Sequence, residues 1–425
     1  MKMNEKERPA SQEAATSPKC RFCRASLTRT FVDLGMSPLC QTHIAPHQLN
    51  LGESFYPLHV FVCEHCFLVQ LDEYVTPDEI FSEYAYFSSY SDSWINHARV
   101  YAEHMQSSYG IDDESVVMEI ASNDGYLLQH FVEAGIAVLG IEPAANVAEA
   151  AVAKGIPTTV CFFGKGTARE IVAMHGKADL LVGNNVLAHV PDLNDFVSGM
   201  KVLLKPDGII TMEFPHLLRL MEFNQFDTIY HEHFSYLSFF TVDRIFSYHG
   251  LKIFNVEELA THGGSLRIYA CHAENAARDV QPEVLRLHAW EAQAGVTDLA
   301  LYASFEEKVK ETKRRLLEFL IGVKRAGGSV VGYGAPGKGN TLLNYCGIRR
   351  DFLEYTVDRN PYKQGKYTPG TRIPIHHPER IRETKPDYVL ILPWNLKEEI
   401  MPQMEYIRAW GGKFVVPIPD VQVFP

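Results

Sequence analysis

Between residues 115 and 215, short apolar runs alternate with segments of helical periodicity. The apolar runs predict strands at 116–120, 137–141, 180–183 and 208–214. Strands that alternate with helices in this way usually form a parallel sheet with helices on both faces. The pattern therefore predicts a doubly wound α/β domain in the middle of the chain.

The same pattern returns near the C-terminus. Residues 282–325, rich in Leu, Ala, Glu, Lys and Arg, predict long helices that connect two domains. The strand that follows runs into Gly332-Tyr-Gly-Ala-Pro-Gly337, which has the G-x-G-x-x-G spacing of a dinucleotide-binding turn. A further strand at 353–357 ends at Asp358, where such folds place a ribose-binding acid. We predict a second Rossmann-like α/β domain, and an NAD-dependent oxidoreductase is one interpretation of it.

The first predicted strand of the middle domain ends in a tight polar turn, Glu119-Ile-Ala-Ser-Asn-Asp-Gly125. Gly125 lets the backbone approach a ligand closely. The next strand ends at Glu142, whose carboxylate reaches the carboxyl edge of the sheet and can accept hydrogen bonds from two ribose hydroxyls. This spacing suits either NAD or S-adenosylmethionine.

Four cysteines near the N-terminus form two C-x-x-C pairs, Cys20 with Cys23 and Cys63 with Cys66. Two such pairs supply the four thiolates that a structural zinc prefers, and an inserted hairpin is expected between them. The alternative is two redox-type pairs or free thiols. A four-thiolate site leaves no position for water or substrate, so the zinc is assigned to folding.

Composition excludes several classes of function. The 425 residues are 46% apolar and 22% charged, enough to fill the cores of two or three domains. A net charge of −12 argues against a broad nucleic-acid surface. We find no export signal and no run of about 20 apolar residues that would cross a bilayer. These features predict a cytoplasmic protein that binds neither nucleic acid nor membrane.

A cluster of ionisable side chains follows the last predicted strand of the middle domain, in Tyr230-His-Glu-His-Phe234. Adjacent residues point in different directions, and the spacing is not that of a zinc protease. An acid–base role fits better, because histidine titrates near neutrality and a neighbouring carboxylate such as Glu232 can orient its ring. Metal binding and a pair of surface histidines without a role are the alternatives.

The middle domain resembles the S-adenosylmethionine-dependent methyltransferases. Its first turn lacks G-x-G-x-x-G, and the strand at 180–183 runs into Asn184-Asn-Val-Leu-Ala-His-Val-Pro191, the loop that covers the methionine end of the cofactor in that class. Ala121 stands where the class usually has the first glycine of the turn. The resemblance implies that the cofactor is bound by Glu119, Ser122, Asp124, Gly125, Glu142, Asn185 and His189.

The motifs together resemble those of the sugar-nucleotide C-methyltransferases, which methylate C3 of nucleotide-linked 4-keto-deoxyhexoses. The resemblance rests on the four cysteines, the histidine run, Gly332-Tyr-Gly-Ala335, Tyr84-Ala-Tyr-Phe-Ser-Ser89 and His262-Gly-Gly-Ser265, and it extends from Cys20 to the C-terminus. It implies that His233 is the base, that Tyr230 and Glu232 assist it, and that Tyr84 and Tyr86 contact the sugar.

The same resemblance assigns the C-terminal domain to the nucleotide diphosphate of the substrate. Lys338 and Asn340 follow the third glycine, where they suit an anion at a helix N-terminus. The resulting substrate-binding set is His262, Gly264, Gly334, Lys338, Asn340, Asp358 and Asn395. The other interpretations are the oxidoreductase and a non-catalytic sugar-nucleotide binding protein.

These expectations give a chain in four parts. Residues 1–19 form a disordered tail, 20–80 a zinc-binding lobe, 81–275 a Rossmann-like methyltransferase domain, and 276–425 linker helices and a sugar-nucleotide-binding domain. The identity of the nucleotide and of the deoxyhexose depends on a few pocket contacts that motif spacing does not encode. The motifs do not encode an oligomeric state either.

Overall fold

A computed structural model describes residues 18–77, 79, 88–90 and 92–425. Most of the expected tail, and both Tyr84 and Tyr86, lie outside the described residues. Every helix in the described ranges is too short or too polar to cross a bilayer.

The N-terminal lobe contains a small antiparallel sheet. Its strands are β1 (Arg29–Ser37), β2 (Tyr56–Val62) and β3 (Val69–Leu71). β1 pairs with β2 in antiparallel register, which confirms the hairpin expected between the two cysteine pairs. The fourth strand, β9 (Ser235–Tyr236), comes from the middle of the chain and pairs with β3. The segment just after the histidine run is thus part of the N-terminal sheet.

The central domain is built on a seven-stranded sheet in the order β10-β11-β8-β7-β4-β5-β6. The strands β8, β7, β4, β5 and β6 are parallel, whereas β11 and β10 add an antiparallel hairpin at one edge. Two of the four predicted strands have the predicted bounds and the other two are longer. The bounds are β4 (Val116–Ile120), β5 (Ala137–Ile141), β6 (Thr158–Thr159), β7 (Ala178–Asn184), β8 (Leu204–Pro215), β10 (Leu251–Leu259) and β11 (Ser265–His272).

Helices cover this sheet and precede its first strand. In the described residues they are α1 (Asp92–Tyr109), α2 (Leu128–Glu133), α3 (Ala145–Ala153), α4 (Lys165–His175), α5 (Leu193–Leu203), α6 (Leu217–Glu222) and α7 (Phe239–Tyr248). The four crossovers between the parallel strands place α2, α3, α4 and α5 between successive strands, as the alternating sequence pattern predicted.

The predicted connecting helices are confirmed as α8 (Pro282–Ala294), α9 (Leu299–Ala303) and α10 (Phe305–Arg325). Helix α10 packs against the N-terminal sheet as well as the C-terminal domain, because Phe31 of β1 stacks on Phe305 with ring centroids 4.6 Å apart. One apolar core therefore joins the N-terminal sheet to the C-terminal domain.

The C-terminal domain contains a sheet in the order β14-β13-β12-β15-β16-β17, parallel except for β17. Its strands are β12 (Val330–Tyr333), β13 (Thr356–Val357), β14 (Ile375–His376), β15 (Tyr388–Ile391), β16 (Lys413–Val416) and β17 (Gln422–Phe424). Its helices are α11 (Gly337–Cys346), α12 (Arg380–Thr384) and α13 (Lys397–Gln403). The α/β fold class is confirmed, although β13 is shorter than the predicted strand at 353–357.

Candidate active site and zinc centre

The four cysteines of the N-terminal lobe meet at one point. Their Sγ atoms all lie within 4.8 Å of one another, with Cys20 and Cys66 3.5 Å apart and Cys23 and Cys63 3.5 Å apart. A tetrahedral zinc held by thiolates at about 2.3 Å keeps its sulfurs about 3.8 Å apart, so the cluster fits zinc. The Gln70 amide donates to Cys20 Sγ at 3.2 Å, a typical outer-shell contact to a metal-bound thiolate.

Arg21 connects this zinc centre to the catalytic loops. The residue follows Cys20 directly, and its side chain donates to the carbonyl of Pro191 at 2.7 Å. Its guanidinium also lies over the ring of Phe234, 5.4 Å from the centroid. Because Pro191 ends the loop after β7 and Phe234 follows His233, the zinc-bearing segment supports both loops directly.

The turn after β4 has an unusual backbone. Ala121 (φ 57°) and Asn123 (φ 49°) adopt the left-handed conformation, as does Gly125 (φ 78°). A Cβ on Gly125 would lie 2.2 Å from Cδ1 of Ile156. Only glycine fits at 125, which agrees with the expected close turn, whereas Ala121 occupies a conformation that glycine would adopt without strain.

Glu142 holds this turn in place. Its Oε2 accepts from the backbone N–H of Asn123 at 2.9 Å, and its Oε1 accepts from the N–H of Ala144 at 2.9 Å. Each carboxylate oxygen keeps a further lone pair, so acceptance of ribose hydroxyls remains compatible with these bonds. The side chain is 5% exposed, and this burial raises its pKa.

Three neighbouring side chains carry buried oxygens for which the described residues provide no partner. They are both carboxylate oxygens of Glu119, Oγ of Ser122 and Oδ1 of Asp124. Burial, and then the charges of Glu142 and Asp124, raise the pKa of Glu119 well above its ordinary value. Buried oxygens without partners at the carboxyl edge of a doubly wound sheet fit the polar groups of S-adenosylmethionine.

The histidine run places one imidazole at the centre of a cluster. The ring of His233 lies 4.1 Å from that of Tyr230 and 4.7 Å from that of His189, measured between centroids. His233 Nδ1 lies 2.9 Å from the carbonyl oxygen of Thr228. Since a carbonyl only accepts, Nδ1 carries the proton and Nε2 keeps its lone pair.

The electrostatics keep this imidazole neutral. Burial is the main cause that lowers the pKa of His233 well below its ordinary value, and the electrostatic interaction with the neighbouring His189 imidazole lowers it further. Burial also lowers the pKa of His189 to about 4, and His189 Nδ1 lies 2.7 Å from the backbone oxygen of Glu232. A neutral ring with a free lone pair on Nε2 has the properties of a general base.

The other two members of the run point elsewhere, as expected for adjacent residues. His231 Nε2 lies 3.2 Å from the carbonyl oxygen of Pro57, and Glu232 Oε1 lies 3.5 Å from Sγ of Cys40. The sequence predicted that a carboxylate would orient the catalytic imidazole. At Nδ1 that expectation needs correction, because the ring of His233 donates its hydrogen bond there to the Thr228 carbonyl. Assistance from Glu232 stays a prediction.

Lys338 lies at the junction of the central and C-terminal domains. Its Nζ donates to Oδ1 of Asn395 at 2.9 Å and lies over the ring of Trp394, 4.6 Å from the centroid. The Trp394 indole N–H donates to Oδ2 of the fully buried Asp227 at 2.7 Å, and burial raises the pKa of Asp227 to about 6. Asp227 was missed from the sequence, although it closely precedes the histidine run.

The glycine-rich turn of the C-terminal domain is covered by the N-terminal lobe. A Cβ on Gly337 would lie 2.9 Å from Sγ of Cys40 and 3.2 Å from the side-chain nitrogen of Gln41. Asn340 donates to the carbonyl of Cys40 at 2.6 Å. The amide nitrogen of Asn340 thus holds the Cys40 loop on the first turn of α11, where a dinucleotide would place its pyrophosphate, while its Oδ1 is buried without a partner among the described residues. A substrate contact of Asn340 stays a prediction.

Two further predicted residues of this domain shape the turn itself. Asp358 Oδ2 accepts from the N–H of Ala335 at 2.8 Å. Gly334 has a φ of +86°, and a Cβ there would lie 2.6 Å from Cδ of Pro393. Both residues stabilise the turn, and Asp358 keeps lone pairs for a ligand.

The His262-Gly-Gly-Ser265 segment forms a tight turn beside the cofactor edge. His262 has a φ of 54° and Gly264 a φ of 121°, and a Cβ on Gly264 would lie 2.8 Å from Cγ of Arg219. His262 Nε2 lies 3.2 Å from Nδ2 of Asn185, which follows β7. The predicted substrate and cofactor residues thus meet at this point.

Comparison with known proteins agrees with this architecture. Residues 20–81 match the family model "Putative zinc binding domain", 96–256 match "Methyltransferase domain", and 260–419 match "C-methyltransferase C-terminal domain". The chain is 36% identical over 405 residues to C-methyltransferase NovU of Streptomyces niveus, covering 95% of this chain and 96% of that protein.

Solved structures give weaker matches. Magnesium protoporphyrin IX methyltransferase of Synechocystis, solved with bound S-adenosylhomocysteine, is 15% identical, with a TM-score of 0.34 over 42% of this chain and 83% of its own. An S-adenosylmethionine-dependent methyltransferase of Mesorhizobium loti is 13% identical, with a TM-score of 0.34 over 41% and 99%.

The fold and the two sites define a methyltransferase that uses S-adenosylmethionine and carries a structural zinc centre. More specifically, the chain belongs to the family of C-methyltransferases, since its similarity to NovU extends over nearly the whole of both chains.

Proposed function

We propose that this C-methyltransferase acts at C3 of a nucleotide-linked 4-keto-deoxyhexose, through an enolate, in the synthesis of a branched deoxysugar. The observation that carries the proposal is the neutral His233 imidazole, which is oriented through Nδ1 and flanked by Tyr230 and His189. A methyl group that is transferred to carbon needs a carbon nucleophile, and a base that removes a proton beside a carbonyl creates one.

In this mechanism the C3–H bond breaks, its proton moves to Nε2 of His233, and the electron pair moves toward the C4 oxygen. When bound, S-adenosylmethionine supplies an electrophilic methyl group on a sulfonium. The enolate carbon would form the new C–C bond with that methyl group while the methyl–sulfur bond breaks, so that S-adenosylhomocysteine leaves with the electron pair on sulfur. This requires the reactants to be held in line and away from water. Tyr84, Tyr86 and Tyr230 carry hydroxyls suited to hydrogen-bond the developing oxyanion.

The proposed division of the chain follows from the same roles. Residues 20–80 form the zinc lobe, 81–275 hold the methyl donor, and 276–425 hold the sugar nucleotide, with the preceding residues as a tail. Lys338, backed by Asn395 and Trp394, offers a cation at the domain junction for an anionic part of the substrate. The eight cysteines form no disulfide with one another in the described residues, and four of them are the zinc ligands, which supports a cytoplasmic location.

A panel of thymidine- and guanosine-linked 4-ketohexoses, incubated with S-adenosylmethionine and followed by mass spectrometry, tests the substrate class. We expect one member to gain the mass of a methyl group. If every ketosugar is recovered unchanged while S-adenosylhomocysteine still binds tightly, the substrate proposal is wrong. Tight NADH binding with weak S-adenosylhomocysteine binding would instead favour the oxidoreductase.

A further inference from the structure

Helix α1 carries an aromatic residue to the carboxyl edge of the central sheet. The indole of Trp94 lies 6.1 Å from the ring of Tyr126 at an interplanar angle of 26°, and 5.3 Å from the ring of His262 in an edge arrangement. Tyr126 directly follows Gly125 in the turn after β4. Trp94 therefore stands over the position where doubly wound folds bind their ligands.

The loops on either side of Trp94 belong to the candidate cofactor site. Nδ2 of Asn184, the last residue of β7, donates to the hydroxyl of Tyr126 at 3.4 Å, and Asn185 contacts His262. On the side of the helix, Trp94 stacks on His97 with centroids 4.9 Å apart and an interplanar angle of 20°. The indole thus lies between its own helix, the turn after β4 and the turn that joins β10 to β11.

A buried charge network fixes the helix to the sheet at this point. His97 Nε2 lies 2.8 Å from Oε2 of Glu213 on β8, and Arg267 on β11 donates to the same oxygen at 2.6 Å. Thr261, in the turn that carries His262, donates to Oε1 of Glu213 at 2.8 Å. One carboxylate therefore positions both the helix that carries Trp94 and the turn that contacts it.

The ion pair between Glu213 and Arg267 is charged at neutral pH. The side chain of Glu213 is fully buried and that of Arg267 is 6% exposed. Burial alone would raise the pKa of Glu213, but the hydrogen bond from His97 and the positive charge of Arg267 lower it to about 2. Separating the two charges of a buried ion pair would leave each of them buried without compensation, which is costly. The pair and its hydrogen bonds therefore keep one geometry.

We propose that Trp94, together with Tyr126, forms an aromatic wall of the S-adenosylmethionine pocket beside the sulfonium, and that His97 is the positioning residue that sets it. Aromatic rings attract cations, and the sulfonium is the positively charged centre of this cofactor. The wall therefore favours the charged methyl donor over the neutral product, S-adenosylhomocysteine. The inference concerns the cofactor and does not depend on the sugar substrate.

Binding measurements on the full chain separate this role from a purely structural one. Trp94→Leu should bind sinefungin, which carries an ammonium near the position of the sulfonium, about tenfold more weakly, and S-adenosylhomocysteine less than threefold more weakly. Trp94→Phe, which keeps an aromatic ring, should restore most of the sinefungin affinity. Equal losses for both ligands, or no loss for either, would overturn the proposal.

Intrinsic fluorescence gives a second readout. The chain has four tryptophans, at 94, 290, 394 and 410. S-adenosylhomocysteine should change the emission of the wild type and of the control variant Trp410→Phe. In the wild type the Trp410 indole donates to the Pro386 carbonyl in the C-terminal domain. Trp94→Phe should lose most of this change while the ligand still binds calorimetrically. An unaltered change in Trp94→Phe would place Trp94 away from the cofactor.

The positioning role of His97 is tested by a double-mutant cycle. His97→Leu should weaken sinefungin binding, and His97→Gln, whose amide can still donate to Glu213, should recover part of it. The loss in His97→Leu/Trp94→Leu should be smaller than the product of the two single losses, because both act on the same wall. Fully multiplicative losses would show that His97 does not act through Trp94.

Discussion

At the scale of single residues, the turn after β4 keeps its shape although Ala121 stands at a position where glycine is usual. Ala121 adopts φ 57°, a conformation that costs an L-residue roughly 1–2 kcal/mol. The sequence identified the position as one where glycine is usual, but whether an alanine there changes its backbone or tolerates the strain depends on tertiary contacts. Here Glu142 and the β4–β5 pairing hold the turn.

Replacing this alanine with glycine should therefore stabilise the protein. Ala121→Gly removes the left-handed strain and adds chain entropy to the unfolded state, so we expect a net gain of about 0.5–1 kcal/mol in the free energy of unfolding in urea. The control is Ala134→Gly, at φ −84°, which should lower the free energy of unfolding. A loss of stability in Ala121→Gly would show that the alanine methyl contributes packing that outweighs the strain.

The protonation of His233 gives a prediction in pH. A base must be neutral, so kcat/KM falls when pH drops below the pKa of the base. Because that pKa lies well below the ordinary imidazole value, kcat/KM should stay level down through pH 6.5 and fall only in more acid solution. Lys338→Met removes one positive charge that lowers this pKa, so its acid limb should move to higher pH. A wild-type acid limb above pH 6.5 would contradict the assignment.

At the scale of elements, the sequence predicted the long apolar strands and the connecting helices because their patterns are local. It did not predict β9, whose two residues form a strand only through pairing with β3, far away in the chain. That pairing has a functional consequence. It begins two residues after His233, so the sheet next to the zinc centre supports the catalytic loop.

Loss of zinc should therefore reduce catalysis although the metal takes no part in the reaction. Cys63→Ser should lower the zinc content below one per chain. It should also increase amide exchange at 234–236, because zinc would no longer fix the segment that leads into β3, the strand with which β9 pairs. Cys161→Ser, which lies outside the cluster, should change neither. Unchanged exchange at 234–236 in zinc-depleted Cys63→Ser would separate the zinc centre from the catalytic loop.

At the scale of the whole molecule, the N-terminal lobe, the central domain and the C-terminal domain share apolar cores, although the sequence predicted them as separate units. Alternating polarity predicts each sheet, but it carries no information about which outer faces meet. The apolar core containing Phe31 and Phe305 and the Cys40 loop on α11 join distant parts of the chain. The sequence therefore did not predict that Asn340, which was assigned to the ligand, also holds the Cys40 loop of the N-terminal lobe.

A shared core predicts cooperative unfolding of the N-terminal sheet with the C-terminal domain. Phe31 is completely buried, so Phe31→Ala should lower the free energy of unfolding by about 3–5 kcal/mol and shift a single transition. Phe55→Ala, at a position 38% exposed, should have little effect. A separate early transition in Phe31→Ala, with the C-terminal domain unaffected, would show that the two regions unfold independently.

The central claim is that His233 removes a carbon-bound proton beside a carbonyl. It is tested most directly by following the C3 proton of the accepted 4-ketohexose by NMR in deuterated water, with S-adenosylhomocysteine bound and no methyl transfer. We expect exchange with the wild type and with His231→Gln, whose ring faces Pro57, and no exchange above background with His233→Gln. Exchange at the wild-type rate in His233→Gln would contradict the account.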